Sequence, residues 1–189
     1  LRALREDVQD CILPLLIVPP LKERSGDSQI LLFPASETIP DVGGVLSKYW
    51  ARRSIFIDSR ALFDEYDVEK AVTWLPDLFN RARNLGVPAI PTASLGVLET
   101  IGVDAFRKSI SESYKLKFGL RILSGDIDPR LGDRVQALLS NMGLVPAECA
   151  VLADFSDADL SDYLLVAPII RSALEQLQEF GQWQLVVFQ

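Results

Sequence analysis

At 189 residues, with 49% hydrophobic and 24% charged side chains, the chain is long enough for one substantial core, and a single domain over 1–189 is the expectation. A net charge of -7 argues against broad nucleic-acid wrapping, because a phosphate-tracking face needs surplus Lys and Arg. The complete absence of histidine removes His-based metal sites, Ser-His and Cys-His nucleophile systems, and imidazole acid–base chemistry.

Leu1 to Asp10 reads as the end of an amphipathic helix, with Leu1, Leu4 and Val8 at helical spacing. Ile12 to Val18 is a near-continuous apolar run closed by Pro19-Pro20, the pattern of a strand buried on both faces. Lys22 to Ser28 is polar and reads as a loop. Val42, Val45, Leu46, Tyr49 and Trp50 suggest a helix despite Gly43-Gly44. Lys48, Arg52 and Arg53 form the densest basic patch, read most simply as a solvated helix end complementing the helix dipole. Ser54 to Arg60 is a β-branched and aromatic strand that meets an acid and then a base at its carboxyl end.

Asp67 can cap a helix whose apolar face is Val68, Ala71, Val72, Leu75, Leu78, Phe79 and Ala82. Pro76 predicts a kink or break within it, and Gly86 its end. Val87 to Pro91 is a short strand followed by Thr92 and Ser94. Asp104 to Ser113 is a shorter helix with Phe106 and Ile110 inward, and Lys117 to Leu123 the next strand. Asp128-Pro129 predicts a helix start, with Leu131, Val135, Leu138 and Met142 as the buried stripe and Gly143 as the stop. Cys149 to Ala153 is another strand, ending in Asp154. A last helix runs from about Ser161 to Gln178, bent at Pro168, before a strand from Trp183 to Phe188. Trp74, Phe79, Phe106 and Trp183 are most simply core. Cys11 and Cys149, far apart in apolar runs, are expected to be buried, reduced thiols of a cytoplasmic protein. No run reaches the ~20 apolar residues of a membrane span, and no secretory signal is visible.

Strand starts fall near 12, 54, 88, 117, 149 and 183, giving steps of 42, 34, 29, 32 and 34 residues with one helix in each. That is the period of a βα unit and implies parallel strands with covering helices. An open doubly wound sheet and a (β/α)₈ TIM-like barrel both fit. No glycine-rich phosphate loop follows any strand, which favours an incomplete barrel of about six parallel strands, part of a longer chain at both ends.

Leu13-Pro14-Leu15-Leu16-Ile17-Val18-Pro19-Pro20, Trp50 followed by Ile55-Phe56-Ile57-Asp58, Val87-Pro88-Ala89-Ile90-Pro91, Gly119-Leu120-Arg121-Ile122 and the Trp183 to Phe188 strand together resemble the bacterial and phage-borne "beta protein" family. The resemblance implies a TIM-barrel-like fold, with chain before Leu1 and after Gln189. It also implies a protein of mobile elements with a role in conflict between phage and host. The family often places an acid before Val-Pro-Pro, where this chain has Ile17, so a carboxylate is not available there.

In α/β barrels the site lies at the carboxyl ends of the strands. Those ends carry Asp58 and Arg60, Thr92 and Ser94, Arg121 and Asp126, and Asp154 with Ser156 and Asp157. Arg121 lies mid-strand, so its guanidinium needs a carboxylate, and Asp58 and Asp154 are the expected partners. In the functional reading, Arg121 with Arg60 clamps a phosphate or carboxylate, Ser94 and Asp126 belong to the substrate site, and Asp58 or Asp154 is a general base or a metal ligand, since carboxylates alone can hold Mg²⁺. In the alternative, the same groups form a buried ion-pair network and bind nothing. Asp157, Asp159 and Asp162 read as loop solvation ahead of a helix. Ser111 and Ser113 have no base partner in sequence. Which cofactor, if any, such a site would use does not follow from these residues. The expectation is a recognition or assembly module in phage–host conflict, working with a protein partner or a second copy. The alternative is a barrel-type enzyme acting on a phosphate- or carboxylate-bearing substrate or a phosphodiester.

Overall fold

The computed structural model describes residues 5–20, 39–156, 162–179 and 181–188. Six strands, β1 (Leu15–Ile17), β2 (Ile55–Asp58), β3 (Ala89–Ser94), β4 (Phe118–Leu123), β5 (Cys149–Asp154) and β6 (Leu185–Phe188), follow one another in sheet order as they do in sequence. The β1–β2, β3–β4, β4–β5 and β5–β6 pairs are parallel. Because the order never doubles back, the sheet has no switch point of the kind at which doubly wound folds bind ligands. The predicted α/β class and the βα rhythm are present.

Two compact units divide the described residues, one comprising those up to 91 together with 108–110, the other 92–107 and those from 111 on. In the first unit a short helix α1 (Glu6–Gln9) precedes β1. The expected strand over Ile12 to Val18 is shorter than predicted and is not buried on both faces: only Leu15–Ile17 pair, and Ile17 is 38% exposed. Cys11 consequently falls in a turn and is exposed, not buried. Lys22 to Ser28 and Leu1 to Leu4 lie outside the described residues.

Helix α2 (Val42–Tyr49) starts on Asp41, whose Oδ1 accepts from the Gly44 N–H at 2.9 Å. Its glycines have a packing cause. A Cβ on Gly43 would lie 2.6 Å from the Ala82 Cα of helix α3 (Ala71–Asn84), so the two helices can cross that closely only at glycine. Asp67 does cap, accepting from Glu69 N, but a single 3₁₀ turn (Val68–Lys70) precedes α3. That turn rotates Val68 and Val72 outward, and both are exposed. Trp74 takes a core place beside Leu75, Leu78, Phe79 and Ala82. Pro76 does not break α3, since buried residues on both sides of it hold the helix together.

Helix α4 (Leu95–Ile101), in the second unit, follows β3 directly, and α5 (Asp104–Ser109) is shorter than predicted. Helix α6 (Leu131–Met142) begins three residues after Asp128, because Asp128 Oδ1 accepts from Arg130 N at 2.6 Å and closes a turn ahead of the helix. Leu131, Val135, Leu138 and Met142 are buried, and Gly143 ends the helix in the left-handed conformation, as predicted. Helix α7 (Tyr163–Glu179) runs through Pro168 and buries Ala173 and Leu177. Trp183 is half-buried rather than core, its indole N–H donating to Leu177 O at 2.7 Å. No helix among the described residues is long and apolar enough to cross a membrane.

Candidate functional site

Strand register decides which side chains share a face. In the second unit, Ser94 of β3 is opposite Arg121 of β4, and Thr92 is opposite Gly119. Arg121 is in turn opposite Leu152 of β5, and Leu123 opposite Asp154. Since alternate residues point the same way, Thr92, Ser94, Arg121 and Asp154 occupy one face of the sheet. Phe118, Leu120 and Ile122 take the other, where they are buried in the core. On that face Gly119 and Ala150 take the register positions next to Thr92, one step below Ser94, Arg121 and Leu152.

Arg121 and Asp154 are both buried, with side chains 8% and 10% exposed. Arg121 Nε donates to Asp154 Oδ2 at 2.9 Å, and Nη2 donates to the same oxygen. The second carboxylate oxygen, Oδ1, accepts from the Ser156 hydroxyl at 2.7 Å and from the Ser156 backbone N–H at 3.1 Å. Burial pushes the Asp154 carboxyl up, but the Ser156 hydroxyl, the Arg121 guanidinium and the Ser156 N–H together hold it below the usual carboxylate range. It is therefore an anion at neutral pH whose two oxygens are both engaged. Of the two carboxylates expected to meet Arg121, Asp154 does so.

Asp58, in the first unit, uses the same local device. It ends β2, is 1% exposed, and its Oδ1 accepts from the Arg60 N–H two residues on at 3.0 Å. Arg60 Nε is 3.8 Å from Asp58 Oδ2. Asp58 and Asp154 thus both close an Asx turn at a strand's carboxyl end, which explains why an acid terminates each apolar run. Ile17 is in register with Asp58, so an apolar residue neighbours that carboxylate across β1 and β2.

Ser94 caps α4, its hydroxyl accepting from Val97 N at 3.3 Å. Asp126 is buried, and its Oδ2 accepts from the Leu123 N–H at 2.9 Å. Burial raises its carboxyl above the ordinary value, with the Leu123 N–H and the Arg134 cation pulling the other way. Arg134 and Glu99 were not legible as partners of this group. Arg134 Nε donates to Glu99 at 2.7 Å, Nη1 to Asp128 at 2.7 Å and to the Asp126 carbonyl at 3.0 Å, while Nη2 is 3.9 Å from Asp126 Oδ1. Arg134 is held protonated and Glu99 ionised by their mutual hydrogen bonds. The only sequence signal was a base in the first turns of α6, where the helix dipole disfavours it.

Asp162 is exposed, while Asp157 and Asp159 lie outside the described residues. No group of three or more Cys, Asp or Glu that could hold a metal ion occurs among the described residues. Cys149 is buried, and burial pushes its thiol up to about 12, so it is no nucleophile.

No curated protein and no solved structure matches the chain. A family model described as Beta protein matches residues 1–189. The segments that carry the resemblance, from the β1 run to the β6 strand, all lie within that match, and the chain belongs to the Beta protein family.

Proposed function

We propose that this protein is a recognition or assembly module that works through a protein partner in phage–host conflict, on a sheet that is part of a (β/α)₈ barrel. One observation carries the partner reading: the second unit exposes a concentration of large apolar side chains. Val186, Val187 and Phe188 of β6 are 49%, 40% and 55% exposed, and Leu164 and Ile169 of α7 are 73% and 48% exposed. Exposed apolar side chains in such number are a mark of an interaction site, and an apolar strand at the end of a sheet is a ready template for pairing. Arg121, Asp154 and Ser156 at the strand ends are, by contrast, engaged with one another. The sequential strand order supports the barrel. Affinity capture from host cells with and without phage infection tests the reading. A stoichiometric protein partner that Val186→Lys abolishes is the expected result, and capture of no partner from either extract sinks it.

A barrel-type enzyme acting on a phosphate- or carboxylate-bearing substrate is favoured by Thr92. Its Oγ1 is buried with no hydrogen-bond partner among the described residues, on the face it shares with Ser94 and Arg121. If Asp58→Asn and Arg121→Ala lower only the melting temperature and leave turnover of such substrates unchanged, this second reading fails.

A further inference from the structure

The first unit contains a polar cleft, away from the strand ends discussed above, at the amino-terminal side of β2. Its volume is about 510 Å³, within the range of small-molecule sites, and Gln9, Asp10, Cys11, Arg52, Arg53 and Ser54 are among its lining residues. Two arginines against one aspartate leave this lining with one net positive charge, on a chain whose net charge is -7. Arg53 is already committed: its Nε donates to Asp10 Oδ1 at 2.6 Å, and its guanidinium lies 5.7 Å from the Trp50 ring centre. Arg52 is not. It is exposed and makes no ion pair among the described residues.

The backbone at Arg52 is the second observation. It has φ +67°, the only non-glycine residue with positive φ among those described. A Cβ disfavours that conformation, which glycine adopts freely and asparagine tolerates. The turn itself is required, because Arg52 N–H donates to Gly86 O at 2.8 Å and returns the chain from α2 into β2. Local structure therefore prefers glycine here, yet the position carries a long cation aimed at a cleft. Strain of this kind, kept at a residue whose side chain makes no hydrogen bond or ion pair among the described residues, points to use of that side chain.

We propose that this cleft binds a small oxyanion, a phosphate or carboxylate group, with Arg52 as the principal cation and Arg53, fixed by Asp10 and Trp50, as the second. A planar guanidinium suits both anions through paired N–H donors. Cys11 provides an internal reporter, since it is exposed and lines the cleft, whereas Cys149 is buried with its thiol pushed up to about 12.

The test follows iodoacetamide modification of Cys11 by peptide mass spectrometry in the full chain, while inorganic phosphate or acetate is titrated at ionic strength held constant with chloride. At about ten times its dissociation constant, the bound anion slows Cys11 alkylation by about tenfold. Protection by phosphate alone assigns a phosphate-bearing ligand, and protection by acetate alone a carboxylate-bearing one. Arg52→Gly loses the protection while its melting temperature holds or rises. Arg52→Lys keeps the charge but loses the fork, and so weakens protection. The proposal is overturned if neither anion protects beyond chloride, if Arg52→Gly is protected as well as the parent, or if Arg52→Gly melts lower.

Discussion

Replacing Asp154 by Asn tests whether the Arg121–Asp154 pair holds the second unit together. The substitution preserves shape and leaves Oδ1 able to accept from Ser156, so it removes chiefly the charge. Arg121, with a side chain only 8% exposed, then loses the buried carboxylate to which both its Nε and its Nη2 donate. Breaking one partner of a buried pair costs about 3–5 kcal/mol, a large share of the ~5–15 kcal/mol that a domain has in total. Urea unfolding followed by tryptophan fluorescence should show the stability falling by that amount, as a lower midpoint at unchanged slope. The double variant Arg121→Met with Asp154→Leu removes both charges into a site of similar volume and should return to within about 1 kcal/mol of the parent. The pH dependence has a definite sign. Asp154 is depressed in the folded state, so its stabilisation is fully present above the unfolded carboxylate value of about 4 and is lost as pH falls through the lower folded value. The gap between parent and Asp154→Asn should therefore close as pH is taken from 5 towards 2. A cost below about 1 kcal/mol at pH 7, or a gap that widens in acid, refutes the argument.

Asp126 should behave oppositely. Its carboxyl is raised by burial, so the folded state binds its proton more tightly and stability falls as pH rises from the unfolded to the folded value. Asp126→Asn should melt no lower than the parent at pH 7, and a drop of more than a few degrees in differential scanning fluorimetry contradicts this. Gly43→Ala should destabilise by about 1–3 kcal/mol despite alanine's better helix propensity, because its Cβ would meet the Ala82 backbone at 2.6 Å; equal denaturation midpoints would refute that. Thiol titration of the native protein should modify Cys11 and spare Cys149 until urea is added, as exposure of one and burial of the other require. Two equivalents reacting at the same rate in the native state would contradict the buried position of Cys149.

Periodicity alone determined the βα rhythm, the positions of β2, β4 and β5 and the buried stripe of α6, because strand and helix leave different repeats of apolar residues. It also marked Asp58 and Asp154 as strand-terminal acids, since an Asx turn is a local device written in consecutive residues. Misreadings arose where neighbours override local pattern. Cys11 and Ile17 look apolar enough to be buried, yet burial depends on which strands flank β1. Val68 and Val72 look like core until a 3₁₀ turn rotates them outward. That Asp154 meets Arg121 came only from register, with Leu123 opposite Asp154 across β4 and β5. The Arg134 network joins residues 99, 126, 128 and 134 through packing of separate elements, which no spacing encodes. The strained turn at Arg52 is of the same kind. A sequence shows that an arginine is present, and only the backbone shows that it stands where a glycine would be at ease.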